Sequence, residues 1–228
     1  MTSPDDATSV HSTLRAPRIA AALTRMFAAA DRQEDGTVEA AFEPRPDGTA
    51  PSTPQEMADA AADIYMPISA DGGRLLYSLI RANRPATVVE FGTSFGISTL
   101  HLGAAVRDNG SGRVLTTEMS GAKAGAARRT FAEAGLDDVI TVLEGDARET
   151  LAGIDGPVDF VLLDGWKDLC LPVLRLLEPR LAPGTLVVAD DVEMPGLQPY
   201  LAYVRDPANG YESVTFPVED GMEISCRL

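Results

Sequence analysis

Several things that define common protein classes are scarce in this chain of 228 residues. There are only two cysteines, Cys170 and Cys226, and they lack the short paired spacing of a metal site. They read as reduced structural thiols in a cytoplasmic protein. The two histidines, His11 and His101, lie away from the acidic motifs described below, which argues against a zinc site. Basic residues number 19 against 34 acidic ones, for a formal net charge of −15. So acidic a surface repels phosphate, which removes nucleic acid and anionic membranes as partners. Nor is there an apolar run able to span a bilayer. The most apolar helical stretch, 19–30, is about a dozen residues long and contains Arg25. Asp5 and Asp6 stand where a secretory signal would need positive charge followed by an apolar run.

What remains is ordinary globular composition, 45% hydrophobic and 23% charged, enough for one α/β domain with an N-terminal extension. Residues 1–14 are polar and read as loose. Residues 17–31 read as a helix with Pro17 in its first turn. Residues 34–54 are rich in proline, glycine and acid and read as a long loop. That loop is a lid, an oligomer contact that would make a homodimer, or a mobile linker. Helix returns at 55–65 and at 69–83, where Leu75, Leu76, Leu79 and Ile80 form an apolar stripe.

From Thr87 onward, strands at 87–91, 113–118, 138–143, 158–163 and 185–189 alternate with helices near 97–108, 121–135, 146–153 and 168–181. Runs such as Val161-Leu162-Leu163 and Leu186-Val187-Val188 are apolar on both faces, as a parallel sheet covered by helices requires. After a helix near 196–205, strands at 213–218 and 222–227 flank the turn Glu219-Asp220-Gly221 and are antiparallel to each other. The expected fold is α/β: a doubly wound, mostly parallel seven-stranded sheet with an antiparallel edge strand. Residues 1–65 form the N-terminal helical extension and 66–228 the main domain.

Open α/β sheets bind ligands beyond the carboxyl ends of their strands. The first strand ends in Glu90-Phe91-Gly92, and the turn continues Thr93-Ser94-Phe95-Gly96-Ile97-Ser98. The G-x-x-x-G spacing lacks the extra glycine of a dinucleotide fingerprint, so the loop suits a ligand without phosphates; the competing reading is a plain strand-to-helix turn. The second strand ends in Glu118, whose two oxygens match a vicinal ribose diol. Asp146, in Glu144-Gly145-Asp146-Ala147-Arg148, caps the next helix or lies beside an adenine. Together these features suit an adenosine carrying no phosphate.

The fourth strand runs into Asp164-Gly165-Trp166-Lys167-Asp168 and the fifth into Asp190-Asp191. Adjacent strand ends would gather Asp164, Asp190 and Asp191. Like charges so close raise one another's pKa unless a cation intervenes. Oxygen-only ligands select a hard ion such as Mg²⁺. The competing reading is helix capping without metal. Lys167, one turn past Asp164, is the candidate general base, its pKa expected to fall beside a metal. Trp166 walls the substrate pocket or packs the core.

At these residues the sequence resembles the cation-dependent O-methyltransferases, and catechol O-methyltransferase in particular. The resemblance runs almost without gaps from Met66 to about Arg205 and is most specific at 159–168 and 186–196. It implies the class I methyltransferase fold, S-adenosylmethionine as cofactor, Mg²⁺ or a similar cation, and a small-molecule hydroxyl acceptor, first of all a catechol-like diol. It also implies that Glu90, Gly92 and Ser98 hold the methionine end of the cofactor, that Ile68 lies near its sulfonium, and that Glu118 takes the ribose. Asp146, Ala147 and Arg148 would surround the adenine. Asp164, Asp190 and Asp191 would bind the metal, Lys167 would be the base, and Glu223 would hydrogen-bond the second substrate hydroxyl. Two positions depart from the mammalian catechol enzymes: Gly165 stands where they have histidine, and Asp191 where they have asparagine. The rival readings are a nicotinamide-dependent dehydrogenase and a non-catalytic binding protein that keeps the fold.

Overall fold

Five apolar runs become the parallel strands β1 (Thr87–Phe91), β2 (Arg113–Glu118), β3 (Ile140–Glu144), β4 (Val158–Leu163) and β5 (Leu181–Asp190). A closing hairpin adds β6 (Tyr211–Phe216) and β7 (Met222–Arg227). The sheet order is β3-β2-β1-β4-β5-β7-β6. β7 runs antiparallel to both β5 and β6, so the reversed strand lies one in from the edge and β6 forms the edge itself. The computed structural model describes residues 12–228; the reading of 1–11 as loose, and His11 with it, falls outside the described residues.

The central strands β1 and β4 are mostly apolar because each face is covered. Along β1 and β4, Val88, Phe160 and Leu162 enter one core, and Val89, Val161 and Leu163 enter the other. Full burial of such a side chain is worth about 1.5–3 kcal/mol. Helices α1 (Pro17–Ala30), α4 (Ala70–Asn83), α5 (Ile97–Asn109) and α6 (Gly121–Ala134) cover the first face. Helices α7 (Ala147–Thr150), α8 (Lys167–Leu177) and α9 (Gln198–Val204) cover the second. α5 is buried from Ile97 to Val106 because α4 packs outside it. α1 presents Ile19, Ala22, Leu23 and Met26 at three- and four-residue spacing, and these join the same core as Val88.

Some local expectations change. Residues 12–14, read as loose, are tied down: Ser12 and Tyr77 share a hydroxyl hydrogen bond of 3.0 Å, and the Thr13 amide donates to Asp108 at 3.0 Å. The segment 34–54, read as a loop, contains the helix α2 (Thr37–Phe42). The next helix, α3 (Pro54–Ala60), stops five residues earlier than expected. Its start is fixed by a capping box: Glu56 N–H donates to Thr53 Oγ1, and the Glu56 carboxylate accepts from Thr53 N–H. Among the described residues, no helix is long and apolar enough to cross a membrane.

Candidate active site

Strand register gathers the candidate residues. Phe91 pairs with Thr117 on one side and Leu163 on the other, and Leu163 pairs with Ala189. Gly92, Glu118, Asp164 and Asp190 therefore leave the sheet side by side at its carboxyl edge. A cleft of about 810 Å³ opens there, within the ~300–1,000 Å³ of small-molecule sites.

At one end of the cleft Asp164, Asp190 and Asp191 each offer an oxygen within 4.8 Å of the others. Lys167 opens α8 and reaches back between them, with Nζ 3.0 Å from Asp164 Oδ1 and 2.9 Å from Asp191 Oδ2. The Lys167 and Asp164 side chains are only 9% and 15% exposed, so solvent screens them little. Burial is the largest influence on the Asp164 carboxyl and raises it, with the charge of Asp191, against the pull of Lys167. Asp190 is pushed up to about 8 by burial first, then by Asp164 and Asp191. One ammonium thus leaves three carboxylates under-neutralised, and an all-oxygen set with surplus negative charge fits a hard divalent cation. Burial would lower Lys167, but the charges of Asp164 and Asp191 outweigh it and hold the ammonium above its usual value. The fall read from sequence was stated for Lys167 beside a bound metal; without one, the shift is upward. Asp191 holds φ +61°, a left-handed conformation that aspartate and asparagine tolerate best among non-glycine residues.

At the other end the glycine loop turns between β1 and α5. The Gly92 and Thr93 amides donate to Thr117 O at 3.2 and 2.9 Å, and the Ser94 amide to Glu118 Oε2 at 2.7 Å. Loop amides occupied in this way leave little for a phosphate, which fits a nucleoside and not a dinucleotide. Gly92, at φ +102°, packs on the strand-four turn: a Cβ there would lie 2.5 Å from Asp164 O. Gly165 faces the Phe91 ring, which fills the space a side chain at 165 would need.

Ile68, Gly92, Ser98, Glu118, Ala147, Asp164, Trp166, Lys167, Asp190 and Asp191 all line the cleft. Glu90 does not. Its carboxylate is fully buried behind Ser98 and accepts from the Ser98, Thr99 and Thr116 hydroxyls; burial pushes it up to about 7. Asp146 and Arg148 are also absent from the wall. They pair with each other, and Asp146 caps α7 through the Arg148 amide at 2.8 Å, so the capping reading describes its contacts. The placement of Glu223 is corrected. β7 alternates faces, so Met222 points to the core next to the cleft, while Glu223 points away from it. There it is bound by Arg205, Ser213 and Thr215. Glu219 and Asp220, in the preceding turn, line the cleft instead, and Glu219 accepts from the Ser69 amide at 2.8 Å.

Sequence reasoning offered a lid among the readings of 34–54 without naming its residues, and it passed over one cation. Val38 and Phe42 of α2 and Met57 and Ala58 of α3 line the cleft, and Phe42 meets Trp166 edge-on at 5.8 Å. Tyr65 stacks on Phe95 of the glycine loop at 4.1 Å, while the Gln33 side chain grips both the N–H and the C=O of Tyr65. Lys123, in the first turn of α6, also lines the cleft.

A family profile described as a methyltransferase domain matches residues 89–192. Catechol O-methyltransferase B of Danio rerio is 34% identical over 178 residues, covering 72% of this chain and 66% of that protein. Catechol O-methyltransferase of Sus scrofa is 32% identical over 140 residues, covering 58% of this chain and 74% of that protein. The chain spans 60%, 66% and 63% of the length of three of the curated relatives it matches. The crystal structure of the O-methyltransferase from Bacillus cereus in complex with SAH superposes with a TM-score of 0.64 at 20% identity, covering 90% of this chain and 97% of that one. The neighbours share the seven-stranded class I O-methyltransferase fold. With this sheet order and these relatives, the chain belongs to the cation-dependent O-methyltransferase family that includes catechol O-methyltransferase.

Proposed function

We propose that this protein transfers a methyl group from S-adenosylmethionine to a hydroxyl of a small molecule, first of all a catechol-like vicinal diol. The observation that carries this reading is the pairing of two ends in one cleft. Three carboxylates, of which Lys167 bridges Asp164 and Asp191, face one end, and a loop with occupied amides, beside Glu118, faces the other. The Bacillus cereus neighbour with SAH bound supports the cofactor.

Asp164, Asp190 and Asp191 would hold a divalent cation, Mg²⁺ or similar, which when bound supplies charge that acidifies a coordinated hydroxyl. Lys167, held between Asp164 and Asp191, would take the acceptor's proton. With Asp164 and Asp191 committed to a cation, their hold on its ammonium weakens, and burial then favours the neutral amine that accepts a proton. S-adenosylmethionine would supply the methyl group, with its sulfur keeping the electron pair of the carbon–sulfur bond as the acceptor oxygen takes the carbon. The chain's contribution is alignment and water exclusion. Ser98, backed by Glu90, and Ile68 would hold the methionine end, Glu118 the ribose, and Ala147 the adenine side. Trp166 and Phe42 would wall the acceptor, with α2 and α3 of the N-terminal extension as its roof.

Calorimetric titration with S-adenosylhomocysteine, with NADH as control, tests the reading. Saturable binding of S-adenosylhomocysteine alone is expected; binding of NADH alone would overturn it.

A further inference from the structure

Of the 19 lysine and arginine residues, only two are lysine: Lys123 and Lys167. Cations that pair with surface acids, such as Arg25, Arg74 and Arg128, are arginine. Both lysines line the cleft. The two side chains are not interchangeable: lysine is a compact point charge with three rotatable donors, where arginine is a planar fork. Lys167 belongs to the acid end. Lys123 lies at the nucleoside end and has no role in the chemistry above.

Lys123 is 3% exposed. Its ammonium makes one long hydrogen bond, to Ser94 Oγ at 3.3 Å, and lies 5.3 Å from the centre of the Phe95 ring. No carboxylate stands within 4.0 Å of it among the described residues. Two of its three donors therefore lack a protein acceptor. The acids whose charge acts on it are Glu118 first and Asp63 second; the Glu118 oxygens accept from the Ser94 and Ser120 amides at 2.7 and 2.8 Å. Ser94 thus ties the two groups together, its amide to Glu118 and its hydroxyl to Lys123. Glu118 and Lys123 act on each other's ionisation without touching, against burial that disfavours both charges. The space between them is bounded by a group that only accepts and a group that only donates. What satisfies both is a group that donates and accepts at once, and a ribose hydroxyl does so. A phosphate would meet the donor but be opposed by Glu118.

We infer that Lys123 is a binding residue for the cofactor's nucleoside, donating to a ribose hydroxyl oxygen whose own proton goes to Glu118. This rests on the methyltransferase reading of the cleft. The test is calorimetry of wild type, Lys123→Met and Lys123→Arg with S-adenosylhomocysteine and its 2′-deoxy and 3′-deoxy forms, alongside thermal melts without ligand. Lys123→Met keeps the apolar stem and should melt near wild type while weakening S-adenosylhomocysteine about 10–100-fold. Its discrimination against one deoxy form should shrink toward nothing, whereas wild type should lose about tenfold or more on that same form. Unchanged affinity and unchanged discrimination in Lys123→Met would overturn the inference and leave Lys123 as packing on Phe95. If Lys123→Met does not fold, the wild-type comparison decides: equal affinity for all three ligands overturns it. Wild type that binds no S-adenosylhomocysteine overturns the methyltransferase reading itself, and the inference with it.

Discussion

A single methyl group added at Gly92 should disable the acid end of the cleft without touching a carboxylate. Gly92 holds φ +102°, and a Cβ there would meet Asp164 O at 2.5 Å and Asp164 C and Gly165 N at 2.7 Å. All three are backbone atoms, so no side chain can swing aside. The backbone conformation costs an alanine about 1–3 kcal/mol, and forced overpacking about 1–3 kcal/mol more. Together that is about 2–6 kcal/mol against a typical total of ~5–15. At about 2–4 °C per kcal/mol for a chain of this size, the melting point should fall by about 4–24 °C. Gly110→Ala is the control. Gly110 is also left-handed, at φ +77°, but a Cβ there meets nothing within 4 Å, so only the backbone cost of about 1–2 kcal/mol applies. The assay is thermal unfolding of both variants with and without millimolar Mg²⁺. Gly92→Ala should melt well below Gly110→Ala and lose most of the Mg²⁺-induced stabilisation, because relief of the clash displaces Asp164. Equal melting points and equal responses to Mg²⁺ would refute the claim that the glycine loop holds the metal end in place.

Lys167→Met removes the cation that bridges Asp164 and Asp191. In EDTA it should lose stability toward the lower end of ~3–5 kcal/mol, and Mg²⁺ should then raise its melting point more than it raises wild type; turnover should fall about 10²–10⁴-fold. Stability of the metal-free protein should decline with rising pH. Glu90 is raised from 4.5 to about 7 and Asp190 from 3.8 to about 8. For a carboxyl whose folded pKa lies above its unfolded one, the contribution is complete below the unfolded value and is lost as pH climbs through the folded value. For Glu90 the loss is about 3 kcal/mol. Urea midpoints in EDTA at pH 5, 7 and 9 read this directly, and Glu90→Gln should flatten the decline between pH 5 and 7; an equally steep decline in that variant contradicts the assignment. Glu223→Ala should cost stability of about 1–3 kcal/mol yet leave S-adenosylhomocysteine affinity unchanged, as its place on the far side of β7 requires.

The fold was legible because burial on both faces leaves an unambiguous mark. The bounds of β1, β2 and β4 follow from runs such as Val158 to Leu163, where only Asp159 is polar. β5 begins at Leu181, earlier than its apolar core suggests, because Leu181 pairs with Val158 ahead of a register shift. α2 escaped notice because six residues, with a glycine N-cap and no capping side chain, are too few to show a helical period. Packing such as Phe42 on Trp166 holds it in place. The acid cluster was legible because adjacent parallel strands must end side by side. Glu223 was misplaced because strand parity, which decides the face, depends on a register the sequence does not display. Lys123 was passed over although its rarity pointed to it: position along the chain says nothing of burial, and a lone lysine reads as a solvated charge.

In the proposed function, three carboxylates and Lys167 carry out cation-assisted methyl transfer at one end of a nucleoside cleft. Its most direct test is mass-spectrometric detection of the methylated product from S-adenosylmethionine and a catechol panel, with Mg²⁺ and with EDTA. Monomethylated product is expected with Mg²⁺, abolished by EDTA and by Asp164→Ala. Turnover that persists undiminished in EDTA, or in Asp164→Ala, would contradict it.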